Sequence, residues 1–316
     1  MKMPRYILKR LISVVPLLIG ISLISFFVMH LAPGDPTALF VDPSVAPQEL
    51  ARIRANWGLD RPVFVQYFFW LKNAVRGDFG TAYILNRPVM QIIAERIPAT
   101  LLLMGTSLFF ILLIAVPLGV MSAYKKGGIF DNIVSVLSFA GMSIPSFWLA
   151  LMLMLMFSVQ FNLLPATGMG EGFADIARHL VLPVLTMVLI GFAGLTRYVR
   201  SGTIEVLRQN YIRAARAKGL PERTVLFKHA LRNSLLPLIT ILGMTIPDLF
   251  AGAFIIETIF AWPGMGRLGV GAIFSRNYPL IMGVVFISSF LIIIGNLTAD
   301  LLYSVADPRI RAGRKD

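Results

Sequence analysis

The chain has 316 residues, 57% of them hydrophobic and only 14% charged, against about 45–50% and about 25% in soluble domains, which points to a membrane protein. It contains no cysteine, which excludes disulfide frameworks, thiolate catalysis, iron–sulfur clusters and cysteine-ligated zinc. The net charge of +13 raises nucleic acid as a partner, but in a membrane chain the distribution of cations across the bilayer accounts for it better.

Spanning a bilayer takes roughly 20 mostly apolar residues in a helix. The first such run, about 11–30, follows Lys2, Arg5, Lys9 and Arg10. It is long for a signal peptide and no A-x-A site follows it, so it reads as a retained helix. Residues 31–98 come next. Pro47 opens a helical pattern carrying Leu50, Ile53 and Trp57, closed by Gly58, and Pro62 opens another with Phe64, Tyr67, Phe68 and Leu71. These predict a small helical external subdomain. Its rings (Trp57, Tyr67, Phe68, Phe69, Trp70) suit either interfacial anchoring or a docking surface.

Five further runs qualify as spans, at about 99–123, 132–160, 180–198, 234–260 and 280–303. With the N-terminus in the cytoplasm, the inside segments hold 19 of the 29 basic residues. The two short outside loops, 161–179 and 261–279, hold only Arg178, Arg267 and Arg276. The positive-inside rule therefore predicts six transmembrane helices with both termini cytoplasmic. The cations face anionic lipid and cytoplasmic partners, with no role for nucleic acid.

Between the fourth and fifth spans, Ile204, Leu207, Tyr211 and Ala215 form a helical stripe, with Arg208, Arg213 and Arg216 off it. Gly219 suits a helix C-terminus and Pro221 the first turn of a second helix. So many cations keep the element out of the bilayer. It is an inert positive-inside loop, or a helix that receives force from a cytoplasmic motor. A DNA-reading helix-turn-helix does not suit an element tethered to spans at both ends.

Arg213-Ala214-Ala215-x-x-x-Gly219 resembles the EAA-x-x-x-G signature of ABC-importer permeases, in the Ala-Arg-Ala-Lys-Gly-Leu form of the peptide/nickel branch. Arg213 stands in place of Glu, His229 and Leu231 occupy the Ile and Leu positions, and Arg232 replaces the expected Pro. Ala32-Pro33-Gly34-Asp35-Pro36 resembles the signature of the B-type subunit of dipeptide/oligopeptide permeases. Pro145-Ser146-Phe147-Trp148, Leu164-Pro165-Ala166-x-Gly168, Glu257-x-Ile259-Phe260-x-Trp262-Pro263-Gly264-x-Gly266 and Asp307-Pro308-Arg309 follow in the same order.

This resemblance implies an all-α polytopic inner-membrane permease with the type I ABC importer fold. Its parts would be 1–30 (cytoplasmic N-terminus and first helix), 31–93 (external helical subdomain), 94–303 (transmembrane domain with coupling loop 203–231) and 304–316 (cytoplasmic basic tail). The implied partners are a second homologous permease, two cytoplasmic ABC ATPases and an extracytoplasmic peptide-binding protein. No G-x-x-x-x-G-K-[ST] loop is present, so ATP and Mg would be bound by the partner subunits, with no catalytic residue, metal or cofactor in this chain.

Tyr211, Arg213, Ala214, Ala215, Arg216, Ala217, Lys218, Gly219 and Leu220 are the expected ATPase-coupling residues. The cations among them would bond the ATPase or meet lipid headgroups. Pro33, Gly34, Asp35, Pro36, Trp262, Pro263, Gly264 and Gly266 are expected to be structural. Carboxylates inside spans are costly, which singles out Asp248, Glu257 and Asp300. Asp248, after Pro247, either lines the pathway and meets a peptide ammonium group or is neutral and bonded to a neighbouring helix. Glu257 belongs to the family motif and suits a bond to the 262–264 loop, with pathway contact as the other reading. The resemblance leaves nickel chelate or glutathione as alternative cargo. An ion-coupled secondary transporter is a further alternative, without the inverted repeats that would support it.

Overall fold

The computed structural model describes residues 3–31, 47–225 and 231–306. Their regular structure is helical, apart from one isolated antiparallel bridge between Thr81 and Pro88. In chain order the helices are α1 (Met3–Leu31), α2 (Pro47–Asn56), α3 (Val63–Ala74), α4 (Val89–Tyr124), α5 (Ile129–Ser143), α6 (Ser146–Leu153), α7 (Gly172–Leu207), α8 (Asn210–Ala217), α9 (Glu222–Thr224), α10 (Leu231–Ile259), α11 (Met265–Phe274) and α12 (Tyr278–Ala306).

Among the described residues, four helical segments are long and apolar enough to cross a bilayer: Ile12–Leu31, Val89–Tyr124, Gly172–Leu207 and Tyr278–Ala299. A fifth candidate is the pair Ile129–Ser143 and Ser146–Gln160, in which α6 continues as a π-helix from Met154 to Gln160. The run 132–160, read above as one span, is therefore two helices bent by 99°. The cause is local. Ile144 precedes a proline and takes the extended conformation (φ −86°, ψ 124°), as does Pro145 itself (ψ 136°), because the proline ring clashes with a helical residue before it. Pro183 lies inside continuous α7, and Pro117 and Pro247 fall within the ranges of α4 and α10.

The chain divides into two compact units. One takes the described residues within 3–100 and 263–293, the other those within 101–262 and 294–306. In the first, α3 packs on α1. Phe26, Met29, Tyr67 and Met282 form its buried cluster, and the Tyr67 hydroxyl lies 3.0 Å from that of Ser22. Trp57 stacks on Tyr83, with ring centroids 4.0 Å apart. Trp57, Tyr67 and Trp70 thus belong to the packing of this unit, whereas Phe68 and Phe69 are exposed.

The second unit is organised by α7, which packs against α5, α6 and α10. Its buried side includes Leu182, Met187, Ala193, Leu195 and Val199. Glycine lets α4 come close: a Cβ added at Gly119 would lie 2.7 Å from Val199 Cβ and 2.8 Å from the Thr196 carbonyl. Small residues at such crossings allow backbones to approach, the usual basis of helix association in lipid.

Candidate coupling element and translocation face

The chain leaves α7 at Leu207, turns through Arg208, and takes an extended conformation at Gln209 (φ −68°, ψ 149°) before α8 begins at Asn210. This break changes the phase of the helix. Ile212 and Ala215 become the buried residues, packed with Val225, Val206 and Leu207, while Tyr211 is exposed. The single stripe expected through Ile204, Leu207, Tyr211 and Ala215 is therefore not continuous; Ile212 takes the place assigned to Tyr211.

α8 ends in a Schellman turn. The Leu220 N–H donates to the Ala215 carbonyl (3.4 Å) and the Gly219 N–H to that of Arg216 (2.9 Å). Gly219 has φ +75°, with no atom within 4 Å of the place a Cβ would take. Glycine is needed there for its left-handed backbone, not for space. Pro221 then sits directly before the short helix α9.

The Arg216 guanidinium spans this turn as a fork to Glu222, at 2.5 Å and 3.2 Å, and that hydrogen-bonded pair raises its pKa further. Arg216 is thus engaged within the element, holding α8 against α9. Arg213, Ala214, Ala217, Lys218 and Leu220 are exposed beside it. The element therefore presents two cations and small side chains on a backbone pinned from behind by Ile212. His229, in the downstream part of the signature, lies outside the described residues.

On α10, Asp248 is exposed, while its neighbours Leu249 and Phe250 are buried and Pro247 is half-buried. Ala251, Ile255 and Thr258 are also exposed and continue the same helical face. Glu257 follows Asp248 by nine residues, about two and a half helical turns, and so points to the opposite side. It is fully buried. The structure does not bring these two carboxylates together.

The family-motif segments do meet. The Gly168 N–H donates to the Phe260 carbonyl at 2.8 Å, joining the Leu164–Gly168 segment to the end of α10. Trp262, Gly264 and Gly266 are buried and Pro263 is half-buried. The Met265 N–H donates to the Thr100 hydroxyl at 2.8 Å. Pro33, Gly34, Asp35 and Pro36, like Asp307-Pro308-Arg309, lie outside the described residues.

The sequence reading missed a polar centre in the second unit. Asp131, in the first turn of α5, is 1% exposed and makes a two-point ion pair with Arg200 of α7, at 2.6 Å and 2.8 Å. The Gly127 N–H donates to it at 2.8 Å, and the Ser122 hydroxyl of α4 is a further donor. The only sequence signal was an aspartate at the head of an apolar run. Its partner stands 69 residues away.

Four helices long and apolar enough to cross a bilayer, with a fifth, bent candidate, describe a multi-pass membrane protein. The family described as "Binding-protein-dependent transport system inner membrane component" matches residues 115–312, and its N-terminal companion, "Binding-prot-dependent transport system membrane comp, N-term", matches residues 3–104. The chain belongs to this family. It is 44% identical over 314 residues to the oligopeptide transport system permease protein AppB of Bacillus subtilis (strain 168), covering 98% of this chain and 99% of that one. It is 38% identical over 336 residues to the dipeptide transport system permease protein DppB of Escherichia coli (strain K12), with the same coverage of both chains. In fold it resembles a solved structure of the MetNI methionine ABC transporter in inward facing conformations. There the TM-score is 0.55 at 19% identity, over 69% of this chain and 97% of that one.

Proposed function

We propose that the chain is one of two homologous permease subunits in an ATP-driven importer of di- and oligopeptides. The observation that carries this reading is α8. It is an exposed cationic helix fixed to the end of a long apolar helix by buried Ile212 and Ala215, and it closes on a left-handed glycine. An inert loop needs charge but no such rigid mount. Similarity to the peptide permeases AppB and DppB supports the cargo class.

In this reading two cytoplasmic ATPases receive α8 in surface grooves and hydrolyse ATP in trans, while an extracytoplasmic binding protein delivers the peptide. Arg213 and Lys218 meet the motor. Ala214 and Ala217 keep the helix slim enough to enter a groove, and Arg216 holds the turn. Closure of the motor moves α8 with the end of α7, tilting α7 and α10 and exchanging inward for outward access.

The exposed Asp248 face of α10 supports a role in the pathway, because a carboxylate facing lipid in mid-span is costly. Asp248 then meets the peptide ammonium group. The charge distribution supports six spans in the inner membrane with both termini cytoplasmic. The working division remains 1–30, 31–93, 94–303 and 304–316. ATP and Mg belong to the motor subunits.

Gly219→Asp tests the coupling role in the reconstituted transporter. Peptide uptake is expected to collapse, because the new carboxylate stands beside Arg213 and Lys218, the cations that would meet the motor, while the complex still assembles. Wild-type uptake at a normal rate of ATP hydrolysis would sink the coupling role of the element.

A further inference from the structure

The polar centre at Asp131 is more fully satisfied than packing requires. Its carboxylate receives two bonds from Arg200, one from the Gly127 N–H and one from Ser122. Four donors fill the roughly four acceptor sites of a carboxylate. These donors come from three places: the end of α4, the tight turn 125–128 and α7. Gly127 takes the left-handed conformation (φ +78°) that aims its N–H at Asp131.

Arg200 lies two helical turns before Leu207, where α8 is mounted. The end of α4 and the start of α5 are therefore tied to α7 two turns before the coupling element.

A two-point guanidinium–carboxylate pair is directional. It fixes both distance and rotation, whereas apolar side chains can slide past one another at little cost. We infer that the Asp131–Arg200 pair, completed by Ser122 and Gly127, is the link through which movement of α8 reaches α4 and α5, making Asp131 and Arg200 positioning residues for transport. This rests on the reading of α8 as the element that receives force from the motor.

The test uses the complete transporter in vesicles, measuring peptide uptake, ATP hydrolysis and subunit co-purification together. Arg200→Lys keeps the charge but loses the fork. The double variant Asp131→Leu/Arg200→Met removes both charges and leaves neither stranded, a replacement that commonly preserves stability. Both are expected to retain the partner subunits and hydrolyse ATP, while uptake per ATP falls about tenfold, within the range for residues that carry coupling between sites.

Wild-type uptake per ATP in the double variant would overturn the proposal, since adhesion alone would then suffice. If the double variant does not assemble, Arg200→Lys decides: unchanged uptake per ATP there overturns it equally. A parallel Gly219→Asp variant separates the two readings. Loss of uptake with Gly219→Asp but not with Arg200→Lys removes the link and leaves the coupling element standing. Normal uptake with Gly219→Asp removes the reading on which the link depends.

Discussion

Gly219 shows how one backbone angle controls an element. With φ +75° and open space around it, a substituent is penalised for its conformation, by about 1–2 kcal/mol for most residues, and asparagine visits this region more readily than alanine. Gly219→Asn is therefore expected to retain more uptake than the smaller Gly219→Ala. The opposite order, measured as uptake per ATP, would mean that bulk is what the position resists. Ile212 and Tyr211 give a second contrast. Ile212 is fully buried, so Ile212→Ala costs about 2–5 kcal/mol of local stability, and trypsin should cut faster at Arg213 and Arg216. Tyr211 is 42% exposed, and Tyr211→Ala should leave cleavage unchanged. The glycine turn was legible in the sequence because Gly219 and Pro221 are strong punctuators. The exchange of Tyr211 for Ile212 was not, because the break falls at Gln209, which carries no such signal. Nor could periodicity pair Asp131 with a residue on another helix.

Among the elements, the bend at Ile144–Pro145 most alters the expected architecture. Apolar composition runs unbroken through 132–160, so a length criterion reads one span where the backbone makes two arms. The chain has no cysteine, so two engineered cysteines would be its only labelling sites. At Ile133 and Val159, both exposed, a straight helix would hold the labels about 39 Å apart at 1.5 Å per residue, whereas arms bent by 99° bring their backbones to about 25 Å. Spin–spin distances near the shorter value are expected. A single population near the longer value would contradict the bend. Amphipathic spacing in 47–71 did reveal α2 and α3, because proline marks the start of each. It did not reveal that Trp57 and Tyr67 are used internally, since stacking on Tyr83 and the contact with Ser22 are tertiary facts.

For the whole molecule, composition and motif order carried most of the identification. Two of the motif segments meet in the fold, where the Gly168 N–H donates to the Phe260 carbonyl. Asp248 is exposed on a helix whose other side is packed, and α8 presents exposed Arg213 and Lys218. In the proposed assembly, one surface faces the pathway and the other the motor. The most direct measurement is gentle-detergent affinity purification of the chain from its native membranes, with the co-eluting proteins identified and transport assayed. A second permease and one or two ATPases carrying nucleotide-binding loops should co-elute, and peptide should stimulate ATP hydrolysis. A chain that elutes alone or as a homo-oligomer, and still moves substrate without ATP, would contradict the account and shift attention to Asp248 as an ion-coupling group.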